Sequence, residues 1–386
     1  MEEKQNIQAA PLWTRDFILI ILANFAIFLG FQMLLPTMPV YVKQLGGQES
    51  VVGLVIGIFT VSAVIVRPFV GQMVGTYGRK ALLVGGIIIF VISTLAYNWA
   101  PTVFILLALR FLHGIGWGAN TTAAGTLAAD VVPKPRLGEG MGFFGMAPTI
   151  SMAVAPAVGL FLINTYGFPT LFFTSAALAV LSLIFSLAIK TNLKSEEPQP
   201  KARSFNTMFE PRSYRPAVVI FLTTTTYGAI VSFIALFAGQ MGIENIGIFF
   251  SVYAVVLTLT RPITGMLLDR KGYDIVMIPG LVLVVAGMAI LSQAEGLPMF
   301  LLVAVVYALG FGAVHPSMQA MTVQDVPPHR RGAANGTFFS AFDLGIGLGS
   351  VAWGAVAQFT GYGTMYLFST IPAVLAFIFY IVSRKK

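Results

Sequence analysis

Charged residues are scarce in this chain. Of its 386 residues only 10% are Asp, Glu, Lys or Arg, whereas 57% are hydrophobic and the mean hydropathy is +0.84. A soluble globule of this size needs far more polar surface than such a composition supplies. The shortage of charge therefore excludes a soluble protein and indicates a chain that lies in a lipid bilayer.

Cysteine is absent altogether, which excludes disulfides, thiol catalysis and cysteine metal centres. The sequence also lacks the paired carboxylates, metal-ligand clusters and nucleophile–base pairs that enzymes use, so we predict no catalytic residues, no metal and no cofactor. The glycine-rich stretches "GIGWG" and "GIGLG" lie inside apolar runs and not in a strand–turn–helix unit. We interpret them as helix-packing glycines and not as a phosphate loop.

Long apolar runs are what the sequence does contain. A helix crosses the hydrocarbon core of a bilayer with roughly 20 apolar residues. The runs rarely alternate polar with apolar residues, as barrel strands do, so we predict an all-α integral membrane protein with twelve transmembrane helices. The expected spans are 17–42, 49–76, 81–98, 102–129, 137–164, 169–190, 214–240, 243–269, 274–294, 298–324, 332–359 and 363–383.

The basic residues are distributed unevenly between the linkers. Linkers after even-numbered spans carry cations, such as Arg79 and Lys80, whereas linkers after odd-numbered spans hold Lys43 and almost no other cation. By the positive-inside rule, both termini are predicted to be cytoplasmic. The net charge of +8 then reflects topology and proximity to anionic membrane lipids, and it does not indicate a nucleic-acid partner.

The sequence repeats itself 194 residues later. Arg67, Pro68 and Gly71 recur as Arg261, Pro262 and Gly265, and the same offset relates glycines of the fourth span to those of the tenth. This repeat predicts two parallel six-helix halves about an axis along the membrane normal, with a path between them. We expect an N-terminal bundle at 1–190, a cytoplasmic linker at 191–213 and a C-terminal bundle at 214–386.

The repeated stretches resemble motifs of the major facilitator superfamily. After its second span the superfamily has a Gly-x-x-x-Asp-Arg-x-Gly-Arg-Lys turn. This chain matches that turn at Gly71, Gly78, Arg79 and Lys80 but has glycine and threonine in place of the acid and the first base. The turn after the eighth span is closer at its centre, with matches at Gly265, Asp269, Arg270 and Gly272.

Other spans extend the resemblance to the whole chain and to the twelve-helix drug:proton antiporter-like branch. The fourth span, "RFLHGIGWG", is similar to that branch's Arg-x-x-x-Gly pattern, and the first ends in "LGFQMLLPTMP". The Gly-Pro-x-x-Gly pattern of the fifth span survives only as Ala155, Pro156 and Gly159. The resemblance implies the major facilitator fold, two pseudo-symmetric six-helix bundles, in the plasma membrane of a bacterium.

The repeated basic turns are predicted to control opening at the cytoplasmic side. Glycines permit a sharp turn there, and the charges beyond them can pair with acids when the halves close. We predict that Arg79 pairs with Asp130 and that Asp325 pairs with Arg270 or Lys271. The alternative is that the basic residues only contact lipid head groups. The predicted gating residues are Gly71, Gly78, Arg79, Lys80, Asp130, Gly265, Asp269, Arg270 and Asp325, and by resemblance Asp269 caps the fifth helix.

Ionisable residues within spans are costly and therefore candidates for function. Asp343 is the only carboxylate near the middle of a span, which makes it the candidate proton carrier. The resemblance places the second helix beside the eleventh, so Arg67 is its expected partner, and it associates the position of Arg110 with proton coupling. The alternative is a static salt bridge between the halves. The first span has Asn24 and Gln32 but no acid, unlike many proton-coupled relatives.

The fourth helix carries polar and aromatic side chains on one face, which predicts that this face lines a polar cavity. By resemblance, the first, seventh and tenth helices line the same cavity. Aromatic and amide groups with few fixed charges suit an amphiphilic solute, although packing is the alternative for each aromatic side chain. The candidate cavity residues are Asn24, Phe28, Phe31, Gln32, His113, Trp117, Asn120, Thr121, Tyr227, Tyr307, Phe311 and His315.

These features together predict a secondary active transporter that works by alternating access, and not an enzyme. We expect proton-coupled efflux of a small amphiphilic or drug-like molecule by a monomer. The alternative is export of an endogenous metabolite, sugar or lipid-linked solute, with or without protons. A gated channel or a membrane-embedded enzyme is disfavoured by the internal repeat and by the absence of an enzyme-like residue set.

Overall fold

The computed structural model describes residues 11–133, 136–190, 210–243, 245–324, 326–327 and 331–383, without the side chains of 72, 74–76, 137–138, 269 and 331–332. Its α-helices are α1 (Arg15–Gln44), α2 (Glu49–Tyr77), α3 (Arg79–Ala96), α4 (Val103–Val131), α5 (Leu137–Tyr166), α6 (Phe168–Ala188), α7 (Tyr214–Gln240), α8 (Gly247–Lys271), α9 (Asp274–Leu291), α10 (Leu297–Gln324), α11 (Arg331–Phe368) and α12 (Thr370–Ser383). Short 3-10 helices occupy Tyr97–Trp99 and Pro211–Ser213. The described part of the chain is otherwise connected by turns.

Eleven stretches of the described chain are long and apolar enough to cross a membrane, and the last of them accounts for two crossings. That stretch, Ala333–Ser383, contains 51 residues, which as one helix would measure about 76 Å, more than twice the hydrocarbon thickness. Its backbone leaves the helical region at Gly361, where φ is 77° and ψ is 170°. Glycine adopts this conformation without steric cost. The twelve predicted crossings are therefore present.

The glycines of the repeated turns have the role that the sequence predicts for them. Gly78 ends α2 with a φ of 84°, and Gly272 ends α8 with a φ of 81°. A side chain at either position would be strained, because L-residues rarely adopt positive φ. The turn lets α3 begin at Arg79 immediately after α2 ends.

The helices pack as two bundles with the same internal arrangement. In the N half, defined as α1–α6, α1 packs against α5 and α6, α4 against α2 and α3, and α3 against α6. In the C half, defined as α7–α12, α7 packs against α11 and α12, α10 against α8 and α9, and α9 against α12. Adding six to each helix number of the N half gives the contacts of the C half. Most of the predicted linker, residues 191–209, lies outside the described residues.

Three helix pairs make most of the contacts between the halves, namely α2 with α11, α5 with α8 and α1 with α7. We call the side of the molecule where α1 begins and α12 ends the terminal face, and the opposite side the far face. Near the far face one apolar core contains residues of both halves, such as Leu34 and Met38 with Ile230 and Phe233. Toward the terminal face each half has its own core, represented by Leu83 in the N half and Met277 in the C half. The halves are thus joined near the far face and separated toward the terminal face.

Glycine positions show the same difference between the two faces. A Cβ added at Gly53 in α2 would lie 3.0 Å from the Cα of Val351 in α11, and one added at Gly247 in α8 would lie 2.7 Å from the Cα of Ala157 in α5. At Gly71, near the terminal end of α2, nothing lies within 4 Å of an added Cβ. At Gly53 and Gly247, helix backbones of opposite halves therefore touch in the far part of these pairs.

Polar side chains complete the closure at the far face. Gln358 Nε2 donates a hydrogen bond to Gln48 Oε1 at 3.0 Å, and the Tyr362 hydroxyl donates to Glu49 Oε1 at 3.5 Å. Lys43 Nζ also binds this Glu49 oxygen, at 2.7 Å. These contacts link α2 to the chain around the break in α11.

The substitution Gly53→Val is expected to open the far face, because its side chain has no room beside Val351. Overpacking of this kind costs about 1–3 kcal/mol, enough to shift a two-state population by about fivefold or more. Spin labels at Gln48→Cys and Gln358→Cys report the separation by electron–electron distance measurement, without background because the chain has no cysteine. The matched substitution Gly85→Val, where an added Cβ meets nothing within 4 Å, should leave the distance unchanged. Equal distances in both variants would contradict the close contact.

Candidate functional site

An ion pair joins the two halves inside the membrane-spanning region. Arg67 Nη1 of α2 contacts Asp343 Oδ2 of α11, and the two side chains are 26% and 19% exposed. Arg67 lies ten residues before the end of α2, about 15 Å along the helix. The partner expected for Asp343 is therefore the observed one. Opposite charges at this depth compensate each other, which is the usual condition for placing them there.

A second arginine is buried within the N half. The Arg110 side chain is 0% exposed, its Nε donates to the carbonyl oxygen of Val55 at 3.1 Å, and its guanidinium lies 4.3 Å from the centre of the Phe59 ring. His113 Nδ1 lies 3.4 Å from Arg110 Nη1 and 2.7 Å from the Tyr97 hydroxyl. Arginine can only donate, so Nδ1 is the acceptor, Tyr97 donates to it, and the imidazole proton lies on Nε2.

Arg110 and His113 do not line an open cavity, although the sequence predicts that this face of α4 does so. Arg110 and His113 are fully buried between α4 and the neighbouring helices. The reason is the glycine spacing of α4: a Cβ at Gly114 or Gly118 would overlap Phe59 and Ser62 or Val66 and Ala63 of α2, so α2 packs directly against α4. These glycines belong to the fourth-span motif that resembles the superfamily. By letting α2 pack so closely, they cause α2 to cover the polar face of α4 in this conformation.

The other candidates of the N half form an aromatic cluster with buried amides beside it. The Phe31 ring stacks on Trp117 with 4.0 Å between ring centres, and Phe28 meets Trp117 edge-on at 4.8 Å. Gln32 Oε1 and Asn120 Nδ2 are buried and have no hydrogen-bond partner. The remaining polar candidates are bonded to backbone, Asn24 to Phe144 at 3.4 Å and Thr121 to Trp117 at 2.8 Å.

The candidates of the C half form a second aromatic cluster. Tyr227 stacks on Phe311 with 5.5 Å between ring centres, Tyr307 on Phe311 at 5.8 Å, and His315 on the same ring at 5.8 Å. The Tyr307 hydroxyl is 2.8 Å from that of Thr226. The Tyr227 hydroxyl donates to Met152 Sδ of α5 at 3.6 Å, so this cluster contacts the N half.

Several members of the two clusters were missed in the sequence, and the repeat contains the signal for two of them. Phe59 contacts both His113 and Trp117, and Tyr253 contacts both Tyr227 and Tyr307. The offset of 194 residues relates Phe59 to Tyr253, His113 to Tyr307 and Trp117 to Phe311. Tyr97 and Met152 had no such signal, because they reach the clusters only through the packing of separate helices.

The predicted pair of Arg79 and Asp130 is present. Both residues belong to the N half, at the start of α3 and the end of α4, so the pair forms while the halves are separated at the terminal face. From the sequence we expected this pair to form when the halves close, and in this conformation it forms without that closure. Lys80 Nζ donates to the carbonyl oxygens of Leu187 and Ile189 at 2.8 and 2.6 Å, at the end of α6.

Only some of the other predicted gating residues are described in full. Nothing lies within 4 Å of an added Cβ at Gly265, and Arg270 is exposed. The side chain of Asp269 and the whole of Asp325 lie outside the described residues, so their predicted partners stay predictions. Among the described residues, no group of three or more His, Cys, Asp or Glu side chains could hold a metal ion.

Comparison with known proteins decides the family. The sequence pattern of the Major Facilitator Superfamily matches residues 20–245 and 217–386, which together include most of both halves. The chain belongs to this superfamily. It is a transporter embedded in a membrane, and proteins of this superfamily bind small-molecule substrates.

Individual relatives are distant but similar along most of their length. An MFS-type transporter of Methanocaldococcus jannaschii is 28% identical over 371 residues, covering 94% of this chain and 96% of the relative. Multidrug resistance protein 1 of Bacillus subtilis is 25% identical over 324 residues, with 82% and 81% covered. The crystal structure of a bacterial homologue of the human lysosomal transporter Spinster, described as inward-facing, has a TM-score of 0.82 at 15% identity, with 98% of each chain covered. At this identity the likeness to the solved structure concerns the fold alone.

Removal of either member of the ion pair between the halves is expected to destabilise the protein. Asp343→Asn and Arg67→Gln should each lower the free energy of unfolding by about 2 kcal/mol, because each leaves a largely buried charged group without its partner. The double variant should lose less than the sum of the two, with a coupling of about 1 kcal/mol. Unfolding in detergent measures all three variants.

The control for this cycle is the exposed pair of Arg136 and Glu139, whose atoms lie 2.8 Å apart. Solvent screens such a pair, so the same cycle there should give no measurable coupling. Additive losses at Arg67 and Asp343 would show that the two charges do not depend on each other.

Proposed function

We propose that this transporter exports small amphiphilic or drug-like molecules by alternating access, in exchange for protons. The observation that carries the proposal is the ion pair of Arg67 and Asp343, which joins the halves where they begin to separate. Relatives named for multidrug resistance support the direction and the class of substrate. The following paragraphs give the role of each part.

The solute is proposed to bind between α1, α4, α7 and α10, where the two aromatic clusters lie. Their rings supply apolar surface for stacking, and the unpartnered atoms Gln32 Oε1 and Asn120 Nδ2 supply hydrogen bonds. The Tyr227 hydroxyl of the C half contacts Met152 of the N half in this conformation. Solute binding would replace contacts of this kind between the halves.

The direction of opening follows from charge. If the basic linkers place the terminal face in the cytoplasm, the separation at that face corresponds to an inward-facing state, and both termini are cytoplasmic. The joined far face is then the extracellular gate. We propose that the bundles 1–190 and 214–386, connected by the linker 191–213, rock about the helix pairs between them, and that a monomer suffices for transport in the plasma membrane of a bacterium.

Proton coupling is proposed to act through the charge of Asp343. When the carboxylate is ionised, it attracts Arg67 and holds α2 to α11. A proton on Asp343 removes that attraction, and the pair can separate as the halves rearrange. Arg110 has no described carboxylate within 4 Å of its guanidinium, so its part in proton coupling rests on the superfamily resemblance.

Proton flux in proteoliposomes under an imposed pH gradient tests this proposal. A panel of lipophilic cations, neutral drugs and sugars is added to wild type, to Asp343→Asn and to the control Glu139→Gln, which removes an exposed carboxylate. We expect at least one compound to trigger proton movement in wild type and in the control, with a loss of about tenfold or more in Asp343→Asn, because a neutral amide cannot carry the proton. Binding of the compound should persist.

Two outcomes would contradict parts of the proposal. Exchange of labelled solute by wild type without proton movement would remove the coupling and leave Asp343 as a structural partner of Arg67. Undiminished proton flux in Asp343→Asn would move the coupling to another residue. Current in discrete single-channel steps, instead of saturable exchange, would exclude alternating access.

A further inference from the structure

The two outer contacts between the halves are related by the sequence repeat but differ in charge. The offset of 194 residues that relates Arg67 to Arg261 also relates Thr149 to Asp343. Between α2 and α11 the result is an ion pair, whereas between α5 and α8 Arg261 Nη1 lies 3.5 Å from Thr149 Oγ1. The second contact therefore keeps the cation of the first and replaces its carboxylate with a hydroxyl.

Because a hydroxyl stands in the place of the carboxylate, the charge of Arg261 is not compensated. Its Nε is buried and has no hydrogen-bond partner, and no described carboxylate lies within 4 Å of its guanidinium. The bond to Thr149 is at the limit of hydrogen-bond length and brings no negative charge. An unpaired cation inside a membrane span is expensive and usually serves a ligand or a water-filled cavity.

A cleft of about 490 Å³ lies beside this arginine, between α5 and α8. The two helices touch toward the far face, where Ser251 Oγ donates to the carbonyl oxygen of Ala153 at 2.7 Å, and they diverge from there. On the α5 side, Gly142 and Gly145 leave the space beyond their backbone open. The volume falls within the range of roughly 300–1,000 Å³ that small-molecule sites occupy.

The walls of the cleft are apolar and reach the lipid-facing surface. Met146 and Ile150 of α5 are 49% and 44% exposed, and Val255 and Leu259 of α8 are 54% and 64% exposed. Exposed apolar side chains on a membrane-spanning helix suit acyl chains and not water. The cleft thus combines one unpaired cation at its inner end with an apolar path to the bilayer.

We propose that this cleft binds a single-chain anionic amphiphile that enters from the bilayer, with its head group on Arg261 and Thr149 and its chain along α5 and α8. A phosphate or carboxylate oxygen accepts charge-assisted hydrogen bonds from the guanidinium, supplying the acceptor that Asp343 supplies to Arg67. The apolar walls of the cleft contact the hydrocarbon chain of the amphiphile in place of the surrounding lipid. The site depends neither on the direction of transport nor on its coupling to protons.

Binding of radiolabelled dodecyl phosphate to the full chain in phosphatidylcholine nanodiscs tests the site. Wild type should bind saturably, and Arg261→Gln should bind about tenfold more weakly or worse, because a hydrogen bond to a charged group is lost. Thr149→Asp should lose binding equally, because the new carboxylate pairs with Arg261 as Asp343 pairs with Arg67. Thr149→Asn, of similar size but neutral, should bind close to wild type.

The contrast between Thr149→Asp and Thr149→Asn keeps the test decisive if Arg261→Gln fails to fold, which size exclusion and thermal unfolding would reveal. Equal binding by wild type and Thr149→Asp would overturn the proposal. If dodecyltrimethylammonium competes as strongly as unlabelled dodecyl phosphate, Arg261 does not select an anionic head group, which would also overturn the proposal. Competition by inorganic phosphate as strong as by dodecyl phosphate would show a site for aqueous anions, and would equally overturn it.

This experiment is independent of the proton-flux assay. If dodecyl phosphate does not bind in the cleft but solutes still drive proton movement, the amphiphile proposal fails and the export proposal stands. If dodecyl phosphate binds in the cleft but no solute is exchanged, the export proposal fails and the amphiphile proposal stands. The two proposals can therefore fail separately.

Discussion

The bilayer offers no water to backbone amides, and the architecture follows from that constraint. Each span must satisfy its hydrogen bonds internally, so the described spans are helices. Lipid is as apolar as leucine, and helix association depends on close backbone contact instead of on hydrophobic burial. The repeat places glycines for this purpose: a Cβ at Gly116 would lie 2.8 Å from the carbonyl oxygen of Gly86, and a Cβ at the equivalent Gly310 would lie 2.7 Å from that of Gly280.

Charge inside such a structure has to be compensated locally, and the three arginines within spans meet this need differently. Arg67 is paired with a carboxylate across the boundary between halves. Arg110 is held by a backbone carbonyl, a histidine and the face of Phe59, all inside one half. Arg261 has only a distant hydroxyl and an adjoining cleft. Arginines that look alike in sequence therefore have different partners, according to what the neighbouring helix supplies.

The two halves are held together unequally along their depth. A shared apolar core and backbone contact join them near the far face, whereas each half keeps its own core near the terminal face. Because each of these cores lies within one half, separation at the terminal face leaves both of them intact. Alternating access needs this property on both sides in turn. In this conformation, the polar face of α4 is packed away inside one half.

The sequence by itself determined the class of protein, the number of crossings, the two-fold repeat and the turn glycines, because these depend on composition, run length and local backbone conformation. It also predicted the partners Arg67 with Asp343 and Arg79 with Asp130, the first by resemblance. Only the tertiary structure decided that Arg110 and His113 are buried, that Arg79 and Asp130 pair while the halves are separated at the terminal face, and that Arg261 faces Thr149 beside an apolar cleft. These facts depend on which helix faces point at each other and how closely, and that is set by glycine contacts between helices far apart in the chain.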